Sequence, residues 1–225
     1  MAIDGWNPAK TGPLPKGMRA LKSLLLSYSE ILDASALAAV PEGIEELSLV
    51  GCKKIASLNG LERFSNLRTL ILNMSPGIED LSVLSGMKKL AWVGLPPGII
   101  QEQFSVFVAE HPGMKIVELI KCEGITDLSP LQRLTGLTGL IVGQYSGEFA
   151  AVDQLKSLEF LGLPIDTFDN DPESLARIRT ALPRALVVPA FPFCLGSGWI
   201  LLVMPLAALM WIAGSWARSR RRTPL

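Results

Sequence analysis

A nine-residue pattern, L-x-x-L-x-L-x-x-(N/C), recurs along most of the chain and constrains its fold more than any other feature. It begins at Leu21 (LKSLLLSYS), Ile44 (IEELSLVGC), Leu67 (LRTLILNMS), Leu90 (LAWVGLPPG), Met114 (MKIVELIKC), Leu137 (LTGLIVGQY) and Leu158 (LEFLGLPID). Successive starts lie 23, 23, 23, 24, 23 and 21 residues apart, and a partial copy, LPRALV, begins at Leu182, another 24 on. Within each unit the L-x-L alternation predicts a short strand whose alternate side chains point inward. The threefold spacing of Ile125, Leu128, Leu131 and Leu134 predicts tight turns that carry the chain round to the next unit. One such unit cannot bury its own leucines, so neighbours must stack and share a continuous core. Seven strands at about 4.8 Å predict a parallel sheet roughly 29 Å long.

This repeat resembles the leucine-rich repeat family over residues 21–187. The turns ITDLSPL (Ile125–Leu131) and IEDLSVL (Ile78–Leu84) resemble its short bacterial, internalin-like class. The resemblance implies an α/β solenoid with a parallel sheet on its concave face and short helices or turns on its convex face. Two convex stretches read as helices. Asp171-Pro172-Glu173 supplies an N-cap, a proline at the first position and early negative charge, with Pro183 as the stop. Gln101–Glu110 is the other. The family's inward-facing asparagine is replaced here by Ser29, Cys52, Ser75, Gly98, Cys122, Tyr145 and Asp166. The resemblance makes Cys52 and Cys122 small buried residues. Three coils, roughly 14 Å, separate them, which is too far for a disulfide.

The resemblance also implies that strand residues between the leucines line the concave face and hold partners. Those positions include Ile71, Trp92, Ile116, Glu118, Ile120, Ile141 and Phe160. The face is unusually apolar for a solenoid, and large apolar patches mark interaction sites. The expected partner-binding set is therefore these seven residues, with Glu118 as the polar anchor among hydrophobic contacts. The alternative is self-coverage, with the proline-rich first 20 residues, Trp6 included, lying over the face as a lid or cap.

The chain is expected to divide into an N-terminal extension or cap (1–20), the repeat domain (21–187), a proline-rich linker (188–194), a transmembrane helix (195–217) and a basic tail (218–225). Mean hydropathy is +0.36. Ala185 to Ala217 is a run of 33 residues without a charge, closed by Arg218, Arg220, Arg221 and Arg222. About 20 apolar residues span a bilayer. Trp199, Trp211 and Trp216 would sit in its interfacial belts and the arginines beyond them. A buried core helix is the alternative reading. Met1 to Lys16 has no apolar stretch of the kind an export leader needs. The expected placement is a single-pass membrane protein with cytosol-facing repeats, although the terminal arginines alone would favour the opposite orientation.

Chemistry is sparse. The 21 basic and 21 acidic residues balance, which argues against a nucleic-acid partner. His111 stands alone, without a G-x-S-x-G elbow, and reads as a satisfied or exposed loop histidine. No C-x-x-C or H-E-x-x-H pattern suggests a metal. Gly136, Gly139 and Gly143 lie inside a repeat, without the Lys-Ser/Thr of a phosphate loop. Asp166, Asp169 and Asp171 read as a solvated loop rather than a calcium site. No enzymatic activity and no cofactor are expected. The expected function is a membrane-anchored protein-interaction module, a scaffold or accessory subunit of a membrane-associated complex. Two alternatives stay open: an inhibitor or immunity-type protein that sequesters one target at the membrane, and an exported surface protein with a C-terminal sorting signal.

Overall fold

The computed structural model describes residues 1–145 and 147–190. The expected anchor 195–217, the tail 218–225 and their residues Trp199, Trp211, Trp216, Arg218, Arg220, Arg221 and Arg222 lie outside the described residues. Among the described residues, no helix is long and apolar enough to cross a membrane.

Nine parallel strands form one open sheet in strict chain order. They are β1 (Ala2–Asp4), β2 (Ser23–Ser27), β3 (Glu46–Ser48), β4 (Thr69–Ile71), β5 (Trp92–Gly94), β6 (Ile116–Ile120), β7 (Gly139–Gly143), β8 (Phe160–Leu163) and β9 (Leu186–Pro189). Each strand from β1 to β8 is followed by a return segment on the other side. Five returns hold short 3₁₀ pieces, at Ala34–Leu37, Leu61–Arg63, Ser82–Gly86, Ser129–Arg133 and Phe149–Gln154. The others carry α1 (Pro8–Thr11), α2 (Gln101–Glu110), and α3 (Ile165–Asn170) followed by α4 (Pro172–Ala181). This is the leucine-rich-repeat architecture. The sheet has two strands more than the seven that the full repeats predict.

The inward residue pairs make the core. Leu24 and Leu26, Leu47 and Leu49, and Leu70 and Leu72 stack coil upon coil, as do the corresponding pairs through Leu161 and Leu163; all are buried. Burying each such side chain contributes about 1.5–3 kcal/mol. The convex returns close the other side with Phe64, Phe104 and Phe107, also buried. The α4 start follows its sequence signal: the Asp171 carboxylate accepts from the Ser174 amide at 3.0 Å, and Pro172 occupies the first turn.

The two extra strands explain how the ends are handled. β1 adds to β2 with Ala2 opposite Leu25 and Asp4 opposite Ser27. Trp6 then turns into the core and donates its indole N–H to the Gly12 carbonyl at 3.2 Å. The first residues thus extend the sheet and cover its end, and do not lie across the concave face. At the other end the partial repeat supplies β9, which pairs with β8 through Leu163 opposite Pro189. Val188 and Pro189, expected to open the linker, belong to this strand.

The position of the family asparagine is filled in several ways. Ser75 does the bonding work: its hydroxyl donates to Leu49 O at 2.7 Å and accepts from the Cys52 amide at 3.0 Å. The Cys52 and Cys122 thiols are buried, free, and face backbone carbonyls. Tyr145 reaches back with its hydroxyl to Thr126 O at 2.8 Å. Two positions depart from the expectation. Gly98 and Asp166 are exposed, because Ile99 fills the interior in the first case and α3 begins in the second.

The residue at which β2, β3, β4, β6 and β7 turn away repeats too. Tyr28, Met74, Lys121 and Gln144 take φ of 51 to 61°, and Gly51 takes 68°. A left-handed residue costs a non-glycine roughly 1–2 kcal/mol, so this corner is imposed by the stacking of coils. At Gly51 the missing Cβ also leaves room for the Tyr28 ring, whose Cδ1 would lie 2.6 Å from it.

Candidate functional site

The sheet register brings the expected binding residues into three lines across the coils. Thr69, Trp92, Ile116, Gly139 and Phe160 lie side by side in one. Ser48, Ile71, Gly94, Glu118, Ile141 and Gly162 make the next. Ile120 and Gly143 belong to the third, with Asn73 and Pro96 at the corresponding places in their coils. All seven expected residues therefore share the strand face.

They are not equally available. Trp92, Ile116, Ile120 and Phe160 are half-buried. Ile71 and Ile141 are only 2% exposed and Glu118 only 1%. These three stand much less open than the other four. At three places an isoleucine on this face leans onto a glycine of the next coil. A Cβ at Gly139 would sit 3.1 Å from Ile116 Cγ1, one at Gly143 would sit 3.2 Å from Ile120 Cδ1, and one at Gly162 would sit 3.2 Å from Ile141 Cγ2. Part of the apolar face is thus packed against glycines of the next coil, and the first 20 residues form no lid over it.

The centre of the face holds a polar cluster. Glu118 reaches back over Gly94, where the missing Cβ leaves space. Trp92 Nε1 donates to Glu118 Oε1 at 2.7 Å, and Asn73 Nδ2 donates to Glu118 Oε2 at 2.5 Å. The Asn73 amide lies flat on Gly94, so that a Cβ there would meet its Oδ1 at 2.7 Å. Burial pushes the Glu118 carboxyl above the usual range, while the bonds from Asn73 and Trp92 pull the other way. Asn73 Oδ1 is buried and accepts no hydrogen bond. The three residues come from three successive coils, 45 residues apart at the extremes.

The charge of the face is one-sided. The outward strand positions carry three carboxylates, Asp4, Glu46 and Glu118, and no lysine, arginine or histidine. None of the three takes part in an ion pair among those formed by the described residues. Toward the C-terminal coils, a cleft of about 370 Å³ opens at the rim between Ile120, Lys121, Gly143, Pro164, Ile165 and Ala190.

His111 takes no part in this face. Its ring is buried on the convex side, stacked on Phe107, with Nδ1 2.8 Å from Phe107 O and Nε2 2.8 Å from Leu84 O. It is a structural histidine that ties α2 to the preceding coil. Among the described residues, no group of three or more His, Cys, Asp or Glu side chains could hold a metal ion. Asp166 and Asp171 line a polar cleft with Glu148 and Arg177 instead.

Sequence comparison with family models and with curated proteins gives no match. Comparison of the fold does. An internalin C2 from Listeria monocytogenes superposes with a TM-score of 0.51 at 22% identity, over 66% of this chain and 63% of that one. A second internalin (inlF) of the same organism gives 0.51 at 20% identity, over 76% of this chain and 48% of that one. The chain spans less than two thirds of the length of either internalin. At this level of identity the likeness is one of fold, and the fold it supports is the leucine-rich-repeat solenoid.

Proposed function

We propose that this chain is a protein-interaction module that captures a protein partner on its concave sheet face, with Trp92 as the central anchor. The observation that carries this reading is the setting of Trp92. A large aromatic side chain stands half-exposed in the middle of the face, and its N–H is fixed by a buried carboxylate. Aromatic anchors held rigid in this way lose little entropy on binding and dominate interface energetics. Ile116, Ile120 and Phe160 supply half-exposed apolar area around it. The internalin-like fold supports a binding role in general terms only, since one fold hosts many functions.

The finer reading joins this to the sequence. The uncharged run Ala185–Ala217 and the arginines after it support a membrane anchor. The module would then be a scaffold or accessory subunit of a membrane-associated complex, its repeats facing the cytosol. The test is purification of the full chain from native membranes in mild detergent, beside a Trp92→Ala variant whose folding is verified by circular dichroism. A stoichiometric partner present with the native chain and lost with the variant is the expected result. Equal recovery with both chains contradicts the concave-face reading. A single soluble partner whose activity is lost on binding would favour an inhibitor instead.

A further inference from the structure

The proposed binding face has at its anchor a buried acid with no basic partner, and that acid identifies the chemistry of what it holds. This inference rests on the concave-face reading above. Glu118 is a buried carboxylate whose two hydrogen-bond partners, Trp92 and Asn73, are both neutral. Asn73 Oδ1 beside it is a buried acceptor without a donor. Acceptors therefore outnumber donors in the cluster, and the outward strand positions contribute acids but no bases. Ionising this carboxyl without a counter-ion is costly, so burial favours its protonated form, and it is bonded to the half-exposed indole of Trp92.

That arrangement suits a cation on the Trp92 ring. An ammonium or guanidinium group is attracted to the face of an indole, and tryptophan is the strongest of the aromatic rings in this respect. Acceptance of the indole N–H by Glu118 places negative charge at the ring edge and fixes the plane. We infer that the concave face recognises an apolar segment of a protein partner that carries one lysine or arginine, its cationic head seated on the Trp92 indole with Glu118 and Asn73 behind it. Ile116 and Phe160, in line with Trp92 across the sheet, meet the apolar residues that flank the cation. Glu118 acts as a positioning residue: it orients the ring and supplies the opposite charge without touching the partner.

The inference has a readout that a merely structural Glu118 would not move. The side chain faces Asn73 and Trp92, and its neighbours across the sheet are Gly94 and Ile141. None of these titrates; Asp4 and Glu46 stand elsewhere on the face, so the part of the pH dependence that is lost in Glu118→Gln reports on Glu118 itself. A cation bound on the ring favours ionised Glu118 and releases its proton, so affinity rises with pH.

The experiment is selection of a random peptide library on the full chain held in detergent micelles, repeated on Trp92→Ala and Glu118→Gln. The expected result is a set of Trp92-dependent peptides with lysine or arginine at one place among apolar residues. Replacing that residue by glutamine in a synthetic copy should weaken binding by about two- to thirtyfold. Binding of the same peptide should tighten with rising pH on the native chain and be flat on Glu118→Gln. Trp92-dependent peptides without a basic residue, or an unchanged pH profile in Glu118→Gln, overturn the inference and leave the binding face intact. If no selected peptide depends on Trp92, the binding face and the inference fall together.

Discussion

Trp92 and Glu118 lie in neighbouring coils, 26 residues apart, and are joined by a 2.7 Å bond from the indole N–H to a carboxylate oxygen. The bond runs diagonally across the strand face, because Glu118 stands opposite Gly94 and Trp92 opposite Ile116. It couples the most prominent side chain of the face to the most deeply buried acid, and so ties stability, pH and binding to one place.

The first consequence concerns stability. Burial holds the Glu118 carboxyl above its unfolded value of 4.5. The folded protein therefore binds this proton more tightly than the unfolded chain. Its contribution is fully present below pH 4.5 and is lost as pH rises through the raised folded value. The carboxylates of Asp80, Asp127 and Asp171 are held low by bonds from Ser82, Ser129 and Ser174, so their contributions are lost only at more acid pH. Glu118→Gln keeps the acceptor for Trp92 and, after a flip of the Asn73 amide, donates to its Oδ1. The variant should be more stable at neutral pH by on the order of 1–3 kcal/mol. Urea midpoints of both chains between pH 4 and pH 8 check this; the gap should widen with pH.

The second concerns the glycine beneath the cluster. Gly94→Ala places a methyl 2.7 Å from Asn73 Oδ1 and 2.9 Å from its Nδ2. The amide must move, and its bond to Glu118 goes with it. A cost of about 1–3 kcal/mol is expected. The double variant Gly94→Ala/Asn73→Ala should recover part of it. Denaturant unfolding of the four chains of the cycle gives the coupling, which should be favourable.

A third prediction lies on the convex side. His111 bridges two backbone carbonyls, Phe107 O within α2 and Leu84 O in the preceding coil. His111→Ala would remove the ring N–H donated to one of these carbonyls and leave a cavity beside Phe107. The expected loss is about 2–4 kcal/mol. Hydrogen exchange should show the opening confined first to α2 and the Ser82–Gly86 turn.

The cysteines supply a fourth. Burial pushes the Cys52 thiol up to about 11 and the Cys122 thiol up to about 12. The thiolate is the reactive form, so neither should react with iodoacetamide at pH 8 in the folded protein. Peptide mapping by mass spectrometry should find both unlabelled until urea unfolds the chain.

The repeat was readable because its leucines face inward in every coil, so spacing alone fixes the sheet and its register. The α4 start was readable for a similar reason: Asp171 and Pro172 act within their own turn. The end strands were harder to see. Ala2-Ile3-Asp4 carries no repeat, and pairs only because β2 offers an edge. The burial of Ile71, Ile141 and Glu118 was also hidden. It depends on what stands in the neighbouring coils: Ile141 lies against Gly162, and Glu118 bonds back to Trp92 and Asn73. The glycines at 94, 139, 143 and 162 were visible in the sequence, but their pairing with Asn73, Ile116, Ile120 and Ile141 needs the lean of the side chains as well as the register. The Trp92–Glu118–Asn73 cluster crosses three coils, and no single repeat contains it.

Hydroxyl-radical footprinting of the chain, free and in complex with the partner that copurifies with it, reads the strand face itself. Oxidation of Trp92, Ile116 and Phe160 should fall on binding, while the exposed Leu32 and Val106 away from the strand face keep their reactivity. Protection of Leu32 or Val106 with Trp92 left as reactive as in the free chain would contradict binding through the strand face.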